Sequence, residues 1–238
     1  MILAMGKFST RSVLNAALAM SEGITANHNS PIRCHPNGWG AVWRSPQAPH
    51  GLFCHRDTFS FKVSFETSPL HKIKTDFLAV HVRHATLAHN QGLSCTHPIS
   101  REGMSPPWYL LHNGFLPTVY QKLGRERSIF DSREYFDYIV PDKGEQTIDP
   151  IKTIEKLENL PSGGSSANAI LVNPYRAYVI HWTPKDTQYR DYFTMHRLIT
   201  ESATFIASDI IPALAPPECW SALKWGEVLE LKLGVNSV

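Results

Sequence analysis

The stretch Phe77-Leu78-Ala79-Val80-His81-Val82-Arg83-His84-Ala85-Thr86 decides the fold. Its first six positions are almost continuously apolar. That predicts a short strand covered on both faces, not one half open to water. The run then ends in a guanidinium, an imidazole and a hydroxyl. A rigid strand that ends this way presents polar chemistry at a sheet edge. Arg83 suits a carboxylate, which a guanidinium reads through two parallel hydrogen bonds. It equally suits a salt bridge that caps the sheet.

Working outward, residues 1–5 form an apolar run closed by Gly6, which predicts a buried strand. Ser9, Thr10 and Ser12 offer helix caps, and Val13, Leu14, Ala17, Leu18 and Met20 recur at helical spacing. Residues 24–37 read as loop, and 39–43 as a strand introduced by Asn37-Gly38. Phe59, Phe61, Val63 and Phe65 alternate with polar residues, the pattern of a half-buried strand. A long polar loop covers 87–107. A strand over 108–112 follows, halted by Asn113-Gly114. Asp131-Ser132 is expected to cap a helix over 133–140, and a second helix is expected over 150–160.

The last third is rich in strand signals. Residues 169–172 and 177–182 flank Asn173-Pro174-Tyr175-Arg176 as a hairpin. Further strands are expected over 204–207 and 228–233. Strands with a few helices, not strictly alternating, indicate an α+β protein. With no repeat or linker, 1–238 reads as a single domain.

Composition removes several classes. Hydrophobic residues make up 42% and charged residues 18%, which excludes a disordered chain. A net charge of +2 argues against a nucleic-acid partner. The 4 cysteines contain no CxxC pair, which removes a zinc ribbon and a disulfide scaffold. The 12 histidines raise the question of metal. His81 and His84, three apart on a strand, point to opposite faces, and no HExxH occurs. No metal and no cofactor are therefore expected. No apolar run reaches the ~18 residues of a membrane span. With no export signal and free cysteines, the expected location is the cytoplasm. The segment Ser162-Gly163-Gly164-Ser165-Ser166 lacks the GKS or GKT of a phosphate loop and reads as a mobile loop.

Several short clusters occur in a telling order. They are Asn37-Gly38-Trp39-Gly40, the 81–86 stretch, Thr96-His97-Pro98, Leu111-His112-Asn113-Gly114, and Asp131-Ser132-Arg133-Glu134. Ser208-Asp209 and Gly226-Glu227-Val228-Leu229 follow. In this order the chain resembles the class II glutamine amidotransferases, the N-terminal-nucleophile glutaminases. The resemblance implies a four-layer αββα sandwich and hydrolysis of the glutamine amide with release of ammonia. It implies that Arg83 holds the substrate α-carboxylate, with Thr86 and the backbone near His84 positioning it. Asp131 would receive the α-ammonium. Asn113 and the Gly114 N–H would form an oxyanion hole, whose loss typically costs ~10²–10³ in rate. The substrate would be glutamine or a γ-glutamyl compound. The ammonia acceptor would be a synthase partner protein.

The family's chemistry begins at an N-terminal cysteine, whose thiol attacks while its own amine acts as base. This sequence begins Met1-Ile2, and a thioether cannot form an acyl-enzyme. Two readings stand. In one, a Met-Cys-Xaa lead-in precedes Met1 and the protein is a glutaminase. In the other, the chain is a non-catalytic glutamine- or amino-acid-binding regulatory relative. A third idea, an internal nucleophile at Cys95 beside His97, fares worse, since a free cysteine is usually a small buried hydrophobe.

Overall fold

The computed structural model describes residues 1–234 other than 49, 88, 102, 142 and 143. In chain order the elements are β1 (Ile2–Gly6), α1 (Thr10–Ser21), β2 (Trp39–Arg44), β3 (Leu52–Asp57), α2 (Phe61–Ser64) and β4 (Phe77–Val82). Then come β5 (Tyr109–Asn113), α3 (Val119–Lys122), α4 (Asp131–Ile139), α5 (Pro150–Glu158), β6 (Asn168–Val172) and β7 (Arg176–His181). The chain closes with α6 (Arg190–Phe193), β8 (His196–Ile199), β9 (Ala203–Ala207), β10 (Ser221–Ala222) and β11 (Glu227–Lys232). The protein is α+β. It divides into two units, Met1–Pro98 with Tyr189–Leu223 and Ile99–Gln188 with Lys224–Val238.

The first unit carries a sheet of order β10-β8-β9-β1-β4-β2-β3, and every strand pair in it is antiparallel. All six residues of β4 are buried, as its apolar run requires. One face of the sheet, with Ile2, Ala4, Leu78 and Val80, packs against Val13, Leu14, Ala17 and Met20 of α1. Ser9 caps α1 by accepting from the Ser12 N–H at 3.2 Å. Gly40 is obligatory in β2, because a Cβ there would lie 2.1 Å from the His97 carbonyl oxygen.

The second unit carries a sheet of order β11-β7-β6-β5, also antiparallel. The β6–β7 hairpin turns where expected. Asn173 Oδ1 accepts from the N–H groups of Tyr175 and Arg176, each at 2.9 Å, an Asx-type closure. Asp149 caps α5 through the Ile151 and Lys152 N–H groups.

Two local expectations fail. Residues 59–65 are not a strand: they fold as α2 and a following 3-10 turn. Phe61 and Phe65, four apart, stack at 4.9 Å and are buried, while Phe59 and Val63 stay exposed. A helical turn buries every fourth residue, and that arrangement overrides the alternation. Asp131 and Ser132 do not cap α4. They are its first two residues, and the cap position belongs to Phe130, with no side-chain cap bond.

Candidate functional site

In the first unit the candidate residues lie where β4 ends. Ile2 of β1 stands opposite Val80 of β4 and Ala207 of β9. The start of β1 is therefore flanked by the His81–Arg83 exit on one side and Ser208-Asp209 on the other. Met1 is buried; its nitrogen donates to Ser208 Oγ at 2.9 Å, and its carbonyl accepts from the Ser208 N–H at 3.0 Å. Burial pushes the Met1 amine down to about 6, with Asp209 opposing.

Arg83 is 5% exposed. Its Nη2 donates to the Asn90 carbonyl at 2.6 Å and its Nη1 to the Asn37 carbonyl at 3.4 Å. The Asn37 N–H donates to the Arg83 carbonyl at 2.9 Å, and the Arg83 N–H to Gly38 at 3.0 Å. These two bonds continue the β2–β4 ladder past its last named residues. Asn37 Oδ1 also accepts from the Ala85 N–H at 3.0 Å. The Asn37-Gly38 corner thus fixes the chain on which Arg83, His84 and Thr86 sit. His84 and Thr86 are exposed, and the His84 Nδ1 lies 3.2 Å from the Cys34 carbonyl. His81 points the other way, into the protein, with its ring 4.3 Å from that of His97.

In the second unit Asn113 ends β5 and is half-buried, as is Gly114. Gly114 passes so close to the chain at Ser166 that a Cβ would lie 1.9 Å from the Ser166 carbonyl oxygen. His112 is buried beneath this turn. Its Nε2 is 3.1 Å from the Ser166 carbonyl, so that nitrogen carries the proton, and its Nδ1 accepts from Ser132 Oγ at 2.9 Å. Burial lowers the His112 pKa, with Asp131 opposing. Asp131 is 6% exposed, and its Oδ2 accepts from the Leu116 N–H at 2.9 Å. The carboxylate therefore ties the 114–116 turn to the start of α4.

The structure brings Arg83, His84 and Thr86 together in one unit and Asn113, Gly114 and Asp131 together in the other. Sequence reading gave no supporting role to Asn90, Ser132 or Ser166, which hold Arg83 and His112 in place. Two of the three act through main-chain carbonyls and leave no side-chain signature. The end of the 162–166 segment is tied down: Ser165 Oγ accepts from the Phe115 N–H at 3.0 Å, and Ser166 is fully buried, while Ser162 and Gly163 are exposed.

The four cysteines form no disulfide. Burial pushes the Cys54 thiol up to about 11, with Arg56 opposing, so it is not a ready nucleophile. The Cys95 sulfur contacts Ser94 Oγ at 3.9 Å, and the His97 ring lies against His81 instead. Among the described residues, no group of three or more His, Cys, Asp or Glu is placed to hold a metal ion. No helix among them is long and apolar enough to cross a membrane.

No family model matches the chain, and no curated protein matches it. Solved structures do. An allosteric regulatory enzyme of purine biosynthesis aligns over 97% of this chain and 46% of its own, at 18% identity and a TM-score of 0.68. A glutamine phosphoribosylpyrophosphate amidotransferase from B. subtilis aligns over 99% of this chain and 49% of its own, at 16% identity and a TM-score of 0.64. A glutamine aminotransferase class-II domain protein from silicibacter pomeroyi aligns over 83% and 92%, at 15% identity and a TM-score of 0.52. The chain thus has the fold found in class II glutamine amidotransferase structures. It spans about half the length of the first two.

Proposed function

We propose that the chain is a class II glutamine amidotransferase-like domain, acting as one domain over 1–238, that binds glutamine or a γ-glutamyl compound. Given a nucleophile at the start of β1, it hydrolyses the side-chain amide. The observation that carries this reading is the buried Arg83 at the β4 exit, three residues past Val80, which pairs with Ile2 at the start of β1. A buried guanidinium held by the main chain at a strand end is a preorganised carboxylate receptor. The shared fold adds weight.

In this reading Arg83 takes the α-carboxylate, Thr86 and the backbone near His84 position it, and Asp131 takes the α-ammonium. A cysteine thiol loses its proton to its own α-amine and attacks the amide carbon. Asn113 and the Gly114 N–H receive the oxyanion. The C–N bond breaks, the proton goes to the departing ammonia, and water then cleaves the thioester to glutamate. The ammonia passes to a synthase partner in the cytoplasm. This chain has Met1, not cysteine, at the β1 start, so the second reading, binding without hydrolysis, shares every contact except the attack.

One experiment separates them. Two chains are compared, one beginning at Met1 and one carrying Cys-Xaa ahead of it, for glutamine and γ-glutamyl binding by calorimetry and for glutamate release. Release by the cysteine chain alone supports hydrolysis. Binding by both with release by neither supports the regulatory reading. In both cases Arg83→Ala abolishes binding. Binding by neither chain, or binding unchanged in Arg83→Ala, overturns the assignment.

A further inference from the structure

The sheet of the second unit has two edges, and among the described residues one of them is covered. On the outer side of β5, Ile99 and Leu110 exchange N–H···O bonds, each at 2.8 Å. The other edge is β11, the end strand of the order β11-β7-β6-β5. The ladder shows which of its residues bond outward. The Leu233 N–H donates to the Tyr175 carbonyl at 2.8 Å, and successive residues of an antiparallel strand bond to opposite sides. Leu229 and Leu231 therefore bond toward β7, while Val228, Glu230 and Lys232 turn their N–H and C=O groups away from it. The far side of β7 agrees. The Ala167 N–H donates to the Trp182 carbonyl and the Asn173 N–H to the Arg176 carbonyl, each at 2.9 Å. That commits Tyr178 and Ile180 to β6 and leaves Ala177 and Val179 for Leu231 and Leu229.

An open edge accepts a second strand, and charged side chains commonly repel one. The charges of β11 instead select one register of a second β11. In an antiparallel pairing of two identical edges, outward-bonding residues stand opposite outward-bonding residues. Centred on Glu230, the pairing sets Glu230 against Glu230 of the second copy. Centred on Lys232, it sets lysine against lysine. Centred on Leu229, it sets Glu227 against Leu231. Centred on Leu231, it sets Glu230 against Lys232 and Lys232 against Glu230, with Leu231 opposite Leu231 and Leu229 opposite Leu233. Opposite charges and apolar pairs facing across strands stabilise a sheet, and like charges destabilise it. Glu230 and Lys232 are exposed and Leu229 and Leu231 half-buried, so this register pairs free charges and removes apolar surface from water. Glu230 already accepts from Arg176 Nη1, and the second copy's lysine adds another cation to that carboxylate.

Apolar surface continues beside the strand. An open groove of about 510 Å³ between α5 and the start of β11 is lined by Pro150, Ile151, Ile154, Trp225 and Val228, among others, and Ile151 is 72% exposed. In the register centred on Leu231, Gly234 of the second copy stands opposite Val228, which brings that copy's chain to the groove wall.

We propose that the outer edge of β11 is a docking surface for a second copy of this chain. The two β11 strands pair antiparallel about Leu231 and make one sheet continuous through both copies. None of the residues proposed for the substrate takes part, so the surface stands whether or not the chain binds glutamine.

The test is sedimentation equilibrium of the full chain from about 5 to about 500 μM. A monomer–dimer equilibrium with a Kd at or below about 100 μM is expected, weakening as salt rises. Lys232→Glu and Glu230→Lys should each weaken self-association by at least about tenfold. An equimolar mixture of the two variants should restore the dimer, because each reversed charge then meets its opposite. Glu230→Lys also loses the Arg176 contact, so Lys232→Glu is the decisive single variant. A chain that stays monomeric at about 500 μM overturns the proposal. So does a dimer undiminished in folded Lys232→Glu, or a mixture of the folded variants that associates no better than either alone.

Discussion

Arg83 in the first unit and Asp131 in the second are buried almost equally, at 5% and 6% exposure, yet they are secured by different means. The Arg83 exit is bridged by a side chain: Asn37 reaches across from the start of β2 to the Ala85 N–H. The β5 exit, tied to Asp131 through the Leu116 N–H, is locked by a close approach: Gly114 lies under the Ser166 carbonyl with no room for a methyl. A bridge can be cut and leave its ends nearly in place. A close approach cannot be relieved without moving main chain. The two halves of the proposed site should therefore differ in how they fail.

The largest expected effect tests that difference directly. Gly114→Ala forces a Cβ to within 1.9 Å of backbone, so it should cost about 4 kcal/mol or more in urea unfolding. Asn37→Ala removes one hydrogen bond from an exposed side chain and should cost about 1 kcal/mol. Equal losses in the two variants would erase the distinction between bridge and lock.

How much of this was legible in the sequence follows from the same distinction. Strand ends carrying Arg83, Asn113 and Gly114 were visible because an apolar run stops there. The β4 strand was visible because burial on both faces leaves almost no polar residue in it. The β3 strand was not: it is an edge strand, and only Leu52 of its six residues is fully buried. An edge strand with one covered position has no periodicity to read. Likewise, the carbonyls of Asn90 and Ser166 that secure Arg83 and His112 belong to the main chain, which every residue type supplies.

Acid should expose a smaller contrast between the units. In the first, burial, with Met1's amine adding to it, pushes His35 down to about 4. The unfolded chain takes up this proton near pH 6.5 and the folded chain does not. Stability is thus full above that value and falls as pH drops from 6.5 toward 4, by up to roughly 3 kcal/mol. In the second unit His112 is lowered in the same direction, with Asp131 working against the shift. Urea unfolding at pH 7, 5.5 and 4.5 should show His35→Gln losing less stability with acid than the parent. A parallel decline in both chains would remove His35 as the source.

The smallest expected effect bears on residues 59–65, where two periods compete. A strand would set Phe59, Phe61, Val63 and Phe65 on one face, and all four would matter alike. The helical turns bury only Phe61 and Phe65, at 0% and 5% exposure, and leave Phe59 and Val63 at 65% and 68%. Trp39 Nε1 donates to Ser64 Oγ at 2.9 Å, and the Trp39 ring packs edge-on against Phe61. The segment is thereby held with Ser64 turned inward beside Phe61 and Phe65, which an alternating strand forbids. Val63→Ser and Phe59→Ser should each change stability by no more than about 0.5 kcal/mol, while Phe61→Ala costs about 3–5 kcal/mol. A loss at Val63 comparable to that at Phe61 would restore the strand and remove the segment from the helical face of the first unit.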